Sequence, residues 1–271
     1  MTEPAMTDAI RPPRNFPAVN WIGFWTLYKK EVLRFLKVTF QTVLAPVVTT
    51  LLYIVVFTIA LAGSRTAVAG IPYPQFLAPG LIMMAILSNA FQNSASSLLI
   101  SKVQGNDVDF LMPPLAAGEL AAAFILGAAT RGIVVAAVTA ATIAPFINIV
   151  PDHWWAVLYF GVGASLLLGM LGVIGGIWAE KFDHMAMVQN FIMLPLVFLS
   201  GSFYSISRLP EAFQTANHFN PVFYVIDGFR YGFTGHADGS VMVGVIIVGV
   251  ANIACLAITL GLLKSGWRLK S

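Results

Sequence analysis

Charge is what this sequence has least of. Charged residues make up only 10% of the 271 residues, whereas hydrophobic residues make up 58%. Soluble chains contain roughly 25% charged residues, so too little polar surface remains here to cover a water-soluble domain. A soluble enzyme, a disordered chain and a basic nucleic-acid-binding module are therefore excluded. The one cysteine, Cys255, lies in an apolar run and cannot form an intrachain disulfide. This composition predicts an integral membrane protein.

Long uncharged stretches separate the few charges and predict six membrane spans. Each stretch reaches the roughly 20 residues that a helix needs to cross a bilayer. Strands of a membrane barrel would instead alternate polar and apolar residues over about ten positions. We therefore predict an all-α integral membrane protein with six transmembrane helices. The spans lie near 39–61, 76–98, 119–147, 155–178, 184–203 and 241–263.

Lysine and arginine are unevenly distributed about these spans. Of the 15 cations, three lie on one side, one (Arg131) lies inside a span, and eleven lie on the other side. Because cytoplasmic segments carry an excess of Lys and Arg, both termini are expected in the cytoplasm, which also requires an even number of spans. Residues 1–17 are expected to form a flexible cytoplasmic tail. The eleven cations are Arg11, Arg14, Lys29, Lys30, Arg34, Lys37, Lys102, Lys181, Lys264, Arg268 and Lys270.

Residues 18–37, ahead of the first span, have an aromatic face. On a helical wheel, Trp21 and Trp25 fall on one side, and Lys30 and Arg34 fall opposite. Helices with this pattern lie in the plane of the membrane interface. An amphipathic helix packed on a soluble domain would look similar, but no such domain exists here. We therefore predict an interfacial amphipathic helix over 18–37.

Residues 101–119, between spans two and three, are not a simple connection. A polar part is followed by an apolar patch, Phe110, Leu111 and Met112, which Pro113 and Pro114 terminate. Exposed apolar residues of this kind need a partner, either lipid headgroups or another protein. These residues alone leave two alternatives open: a docking helix, and a loop that folds back on the bundle.

Residues 203–239, between spans five and six, contain two semi-apolar pieces that are too short to cross a membrane, 209–216 and 221–233. Broken helices at membrane depth need cover from protein or from a water-filled cavity. A re-entrant helical hairpin dipping in from the external face is therefore favoured over a free loop. Asp227 and Arg230 are three residues apart and could pair on one helix face.

Small residues and one arginine stand out inside the spans. Span four has a stripe of small residues at helical spacing, which lets helices approach closely; we expect packing within the chain rather than a dimer seam. Arg131 costs at least ~2.5–3.5 kcal/mol at membrane depth. It could contact an anionic headgroup, but we expect it to reach the interface or to pair with Glu180 or Asp183. The stripe comprises Gly161, Ser165, Gly169, Gly172 and Gly176.

Several stretches resemble ABC-2 type transporter permeases. The most specific is LPLVFLSGSFYSISRLPEAFQTANHFNPVFYVIDGFRYGF at 194–233, and shorter matches are FLAPGLIMM at 76–84, FLMPPLAAGE at 110–119 and KKEVLRFLK at 29–37. The resemblance covers about residues 20–270 and is nearest to bacterial inner-membrane permeases without a fused ATPase. The external re-entrant motif includes Asn220, Pro221, Gly228, Phe229 and Arg230.

The resemblance implies the membrane half of an ATP-driven exporter. Two copies would pair into a translocation pathway, and each would dock one separate cytoplasmic ATP-binding subunit. ATP and Mg would bind to that partner, so this chain would hold no cofactor. The interfacial helix would touch the partner through Lys29, Lys30 and Arg34. The segment 103–115 would be the coupling helix, with contacts from Val103, Asn106, Asp107, Asp109, Phe110, Leu111 and Met112.

By the same resemblance, spans two and five would line the pathway for an amphipathic, lipid-linked or glycan-like cargo. An integral membrane enzyme acting on lipids is the alternative, but it would need paired titratable groups at one depth. A channel or scaffold subunit would not need the coupling segment. We expect no catalytic site, no metal site and no nucleic acid partner, and besides protein partners only membrane lipid. The expected lining residues are Met83, Met84, Asn89, Phe91, Asn93, Met193 and Phe198.

Overall fold

The computed structural model describes residues 19–61, 67–68, 70–105 and 115–268. The predicted tail over 1–17 lies outside the described residues, and so does most of the predicted coupling segment. Within the described ranges the regular secondary structure is helical apart from one small hairpin, which joins spans one and two and pairs strand Ala67–Val68 with strand Ile71–Pro72.

Among the residues that the structure describes, six helices are long and apolar enough to cross a membrane, which confirms the predicted all-α membrane fold. Span three ends at Ile143 rather than near 147, because Pro145 has no N–H to continue the helix. Span five ends at Leu199 rather than near 203, because Gly201 takes a left-handed φ of 79°. The six spans, one to six in order, are Phe40–Ile59, Tyr73–Val103, Ala117–Ile143, Trp154–Trp178, Phe182–Leu199 and Val241–Ser265.

Spans one and five share an irregularity. Span one starts with a π-helical turn, Phe40–Leu44, and continues as the α-helix Ala45–Leu61. Span five is built from the α-helix Phe182–Met187, the π-helical turn Val188–Met193 and the α-helix Leu194–Leu199. In each span a proline, Pro46 or Pro195, follows two residues after the π-helical turn. Turns of this kind inside helices occur frequently at functional sites.

Spans two, three and four form the core of the bundle, and glycines let them approach. A Cβ on Gly172 would lie 2.4 Å from both the Phe91 carbonyl oxygen and the Ser94 hydroxyl of span two, and one on Gly169 would lie 3.1 Å from Ala128 of span three. The small-residue stripe of span four therefore packs within the chain, as expected from the sequence. Spans five and six, by contrast, are each only 11% buried.

A helix that we call the N-terminal helix, Trp21–Leu36, precedes span one. The Asn20 side chain caps it by accepting a hydrogen bond from the Gly23 N–H at 3.0 Å. Trp21 and Trp25 are exposed, whereas the face that packs on the bundle carries Leu27, Glu31 and Phe35. This helix forms one end of the bundle, together with the ends of spans two and three.

The opposite end of the bundle holds the predicted hairpin. A 3-10 turn, Ile206–Arg208, and a short helix, Glu211–His218, lead into the helix Pro221–Thr234, which we call the re-entrant helix. Residues 222–230 of this helix are all buried. Close contact with span four requires Gly228, because a Cβ there would lie 2.3 Å from the Phe160 ring.

Candidate functional site

A cavity of about 790 Å³ lies between spans one, two and five. Its volume is within the range of about 300–1,000 Å³ that small-molecule sites occupy. It extends from Arg34 on the N-terminal helix to Tyr53 of span one and Leu81 of span two, and Arg131 of span three reaches into it. Both π-helical turns border the cavity and supply polar side chains, Gln41 from span one and Gln189 from span five.

Three of the seven side chains expected to line a pathway border this cavity: Met84, Asn89 and Phe91. The other four do not. Met83, Asn93 and Met193 are buried, and the Phe198 ring packs against Phe203 with ring centroids 4.8 Å apart.

Span one contributes a wall of the cavity that the sequence analysis did not anticipate. Its cavity-lining residues recur three to four positions apart, so they share one helix face. That periodicity was the available signal, since threonine and glutamine are unusual in an otherwise apolar span. The residues of this wall are Gln41, Thr42, Ala45, Pro46, Thr49, Thr50 and Tyr53, and Val38 continues it just before the span.

Arg131 lies at the middle of span three, 14 residues after Ala117, or about 21 Å along the helix at 1.5 Å per residue. Its side chain donates two hydrogen bonds to Asn89 Oδ1, from Nε at 3.2 Å and from Nη2 at 3.0 Å. The expectation that it pairs with Glu180 or Asp183 is wrong. Glu180 pairs instead with Arg268 at 3.4 Å, and Asp183 is exposed. Neither carboxylate meets Arg131, because the guanidinium of Arg131 faces the cavity at mid-span.

A polar cluster fastens the N-terminal helix to span two. Glu31 is 1% exposed and accepts hydrogen bonds from Ser97 Oγ at 2.6 Å and from Arg34 Nη2 at 3.2 Å. Arg34 also donates to the Asn93 backbone carbonyl at 2.6 Å and to Ser96 Oγ at 3.2 Å. Gly127 of span three leaves room for Glu31, whose Cβ would be 2.7 Å from a Cβ there.

The three cations proposed for the N-terminal helix therefore have different surroundings. Lys29 and Lys30 are exposed, whereas Arg34 is turned inward, holds span two and borders the cavity. Sequence reasoning missed Glu31. Its i,i+3 spacing from Arg34 was the signal that could have identified it.

The predicted coupling segment is held at both of its described ends. Lys102 Nζ donates to the Gly176 carbonyl of span four at 3.0 Å, and the Glu119 carboxylate accepts from the backbone N–H groups of Ala116 and Asn20. Val103 is 54% exposed. The other predicted contacts lie outside the described residues: Asn106, Asp107, Asp109, Phe110, Leu111 and Met112.

A buried ion cluster fixes the re-entrant helix. Arg230 is 1% exposed; its Nη1 lies 4.0 Å from the carboxylates of Asp227 and Asp238, and its guanidinium lies 4.0 Å above the Phe76 ring. The predicted pairing of Asp227 with Arg230 is thus present. Asp238 also accepts from Ser205 Oγ at 2.7 Å, which ties the cluster to the turn after span five.

The other residues of the predicted re-entrant motif hold the ends and faces of that helix. The Asn220 side chain caps it by accepting from the Val222 N–H at 3.0 Å and donates to Ser200 Oγ at 2.8 Å. Pro221 occupies the first helical position, where its missing N–H costs nothing. Phe229 packs on Gly161 of span four.

An aromatic cluster lies between the cavity and the re-entrant end. Phe203 is at its centre, with ring centroids 5.7 Å from Tyr53, 5.0 Å from Phe57 and 4.8 Å from Phe198. These rings come from span one, span five and the turn that follows span five. They separate the cavity from the end of the bundle that holds the re-entrant helix.

The chain is similar to known proteins along most of its length. Residues 22–234 match the family model described as ABC-2 type transporter. The inner membrane transport permease YadH of Escherichia coli (strain K12) is 35% identical over 252 residues, which cover 93% of this chain and 98% of that one. Nodulation protein J of Rhizobium leguminosarum bv. trifolii is 25% identical over 224 residues, covering 81% of this chain and 83% of that protein.

Proposed function

Since this chain belongs to the ABC-2 type transporter family, we propose that it is the membrane subunit of an ATP-driven exporter powered by separate ATP-binding subunits. It is a multi-pass membrane protein, and a relative at 35% identity is named an inner membrane permease. The observation that carries the proposal is the cavity between spans one, two and five, which an aromatic cluster closes toward the re-entrant end.

The direction of transport follows from the proposed orientation. Eleven cations flank the spans on the side of the N-terminal helix and three on the other, and the positive-inside rule assigns the richer side to the cytoplasm. The cavity then begins at the cytoplasmic end, at Arg34, and the aromatic cluster around Phe203 lies on the way out. Cargo enters from the cytoplasmic side and leaves when these rings separate.

The ATP-binding subunit docks at the end that holds the N-terminal helix. Exposed Lys29 and Lys30 lie on this helix. Lys102, just before the coupling segment, bonds to span four, and Glu119, just after it, bonds to Asn20 at the start of this helix. The partner binds ATP and Mg, and this chain binds neither. When two such subunits close on ATP, they would pull the two coupling segments together. This movement would open the interface between the two permeases toward the outside.

Two copies pair through spans one and five. Span two is 78% buried within the chain, so little of it remains for a partner. Spans one and five are only 28% and 11% buried, and unlike the equally exposed span six they border the cavity. Pairing would place the two cavities beside each other. A disulfide between Leu52→Cys of one copy and Phe191→Cys of the other tests this arrangement, since both native side chains are exposed. If no interchain disulfide forms between these two positions, pairing through spans one and five is contradicted.

Co-purification with the ATP-binding subunit tests the proposed function. Phe110→Ala combined with Leu111→Ala should abolish its stimulated ATP hydrolysis. A matched control removes an exposed aromatic and an exposed aliphatic side chain elsewhere, Phe146→Ala with Val150→Ala, outside the coupling segment, and should leave hydrolysis unchanged. Unchanged binding and turnover in the first variant refutes the coupling role. The alternative of a lipid-acting membrane enzyme is not favoured by the family.

A further inference from the structure

We propose that Arg131 is the anion-binding residue of the cavity, so that the cargo is an amphiphile with a negatively charged headgroup. This inference rests on the proposed export function and specifies its substrate class. The recognised group is a phosphate, sulfate or carboxylate attached to an apolar tail.

The first argument comes from a comparison of three arginines within the chain. Arg34 has the Glu31 carboxylate at 3.2 Å, and Arg230 has two carboxylates at 4.0 Å. Arg131, 8% exposed, forms no ion pair within the described part of the chain, and its hydrogen bonds there go to the neutral oxygen of Asn89. An arginine at membrane depth is costly and ordinarily paired, so the missing counter-charge is what a ligand would supply.

The second argument is the composition of the cavity wall. Among the described residues that line it, none is an aspartate or glutamate, while two are arginines and several are amides or hydroxyls. Because Glu31 compensates Arg34, Arg131 holds the uncompensated positive charge. A carboxylate in the wall would have indicated a cationic or neutral cargo.

The third argument is the arrangement of polar and apolar surface along span two. Ser88, Asn89 and Gln92 line the cavity about the level of Arg131. Apolar side chains of span two line it on both sides of that level: Leu81 and Met84 toward the re-entrant end, and Ala95, Leu99 and Ile100 toward the N-terminal helix. A headgroup held by Arg131 therefore has an apolar wall next to it for a tail. A free inorganic anion would not use that wall.

The geometry of Arg131 suits an anion. Its bonds to Asn89 engage Nε and Nη2 and fix the plane of the guanidinium. The remaining N–H groups stay available as a fork, which matches the oxygen spacing of a phosphate or carboxylate better than a lysine ammonium does. Asn89 is thus a positioning residue for Arg131.

Equilibrium binding of labelled dodecyl phosphate to the full chain in phosphatidylcholine nanodiscs tests the proposal. Binding to the unmodified protein should be saturable, and Arg131→Gln should weaken it at least tenfold, with Arg131→Lys in between. Asn89→Asp should weaken it similarly, because it supplies an internal counter-charge while keeping the buried contact. The control Arg208→Gln removes an exposed arginine near the re-entrant end and should change nothing.

Competition identifies the part of the ligand that is recognised. Unlabelled dodecyl phosphate should displace the label at least tenfold more strongly than inorganic phosphate or the uncharged dodecyl maltoside. Equal displacement by inorganic phosphate overturns the amphiphile, and equal displacement by the maltoside overturns the anion. Unchanged binding in both folded variants, Arg131→Gln and Asn89→Asp, also overturns the proposal. Since none of these measurements needs the ATP-binding subunit, their failure is distinct from failure of the export function.

Discussion

One buried carboxylate strengthens the attachment of the N-terminal helix, and removing it should raise the population in which the helix is detached. Glu31→Ala deletes the acceptor of Ser97 Oγ and Arg34 Nη2. Hydrogen bonds that involve a charged group contribute about 1.5–3 kcal/mol each. Arg34 is 28% exposed and keeps its bonds to Asn93 and Ser96, so the lower part of that range applies and the total cost is about 3 kcal/mol.

Trypsin cleavage after Lys29 and Lys30 measures this release, because both lysines lie on the helix and are exposed. When opening and closing are fast, cleavage follows the population of the open form. A cost of about 3 kcal/mol corresponds to an increase on the order of 100-fold in that population. Glu31→Gln, which keeps an acceptor for Ser97, should raise the cleavage rate by roughly tenfold.

Glu180→Ala is the matched control for this prediction. Glu180 also pairs with an arginine, but both side chains are well exposed, at 61% and 45%. Exposed pairs of this kind contribute about 0–1 kcal/mol, so cleavage should change little. If Glu31→Ala accelerates cleavage no more than Glu180→Ala does, the polar cluster does not hold the helix and the reasoning is refuted.

Two further predictions concern the core and the re-entrant end. Gly172→Ala should lower the thermal midpoint in detergent by several degrees, because its Cβ would overlap the Phe91 carbonyl oxygen and cost about 1–3 kcal/mol. The control Gly261→Ala, with no atom within 4 Å of the added Cβ, should leave the midpoint unchanged. Equal midpoints for the two variants contradict the packing account. Arg230→Met should lower the free energy of unfolding by about 3–5 kcal/mol, since Asp227 and Asp238 lose their buried counter-charge. Size-exclusion chromatography after heating should show loss of the folded peak. Full retention of that peak refutes a stabilising role of the ion cluster.

The number and type of spans could be predicted because a bilayer leaves little freedom. A helix that crosses it needs about 20 residues with almost no charge, and those stretches are visible in the sequence. The re-entrant hairpin was predictable for a related reason: the pieces around Asn220 and Pro221 are apolar but too short to cross. The ends of spans three and five were harder to predict, since they depend on single residues, Pro145 and Gly201.

The cavity could not be predicted in the same way, because its contacts join residues far apart in the chain. Asn89 and Arg131 are 42 positions apart, and nothing in either local sequence indicates the other. The helical wheel placed Arg34 on a polar face away from the aromatic residues. It could not indicate that polar groups of span two, Asn93 and Ser96, would meet that face.

The central claim is that the cavity belongs to an ATP-driven transport cycle. Ser88→Cys, in a Cys255→Ala background, places the one thiol of the chain in the cavity wall. Its labelling by a membrane-impermeant thiol reagent is measured in inside-out vesicles that contain the permease and its ATP-binding subunit. ATP with vanadate should slow labelling at least fivefold, while Ser265→Cys, exposed at the end of span six, should be labelled at the same rate throughout. Equal labelling of Ser88→Cys with and without ATP would contradict the account.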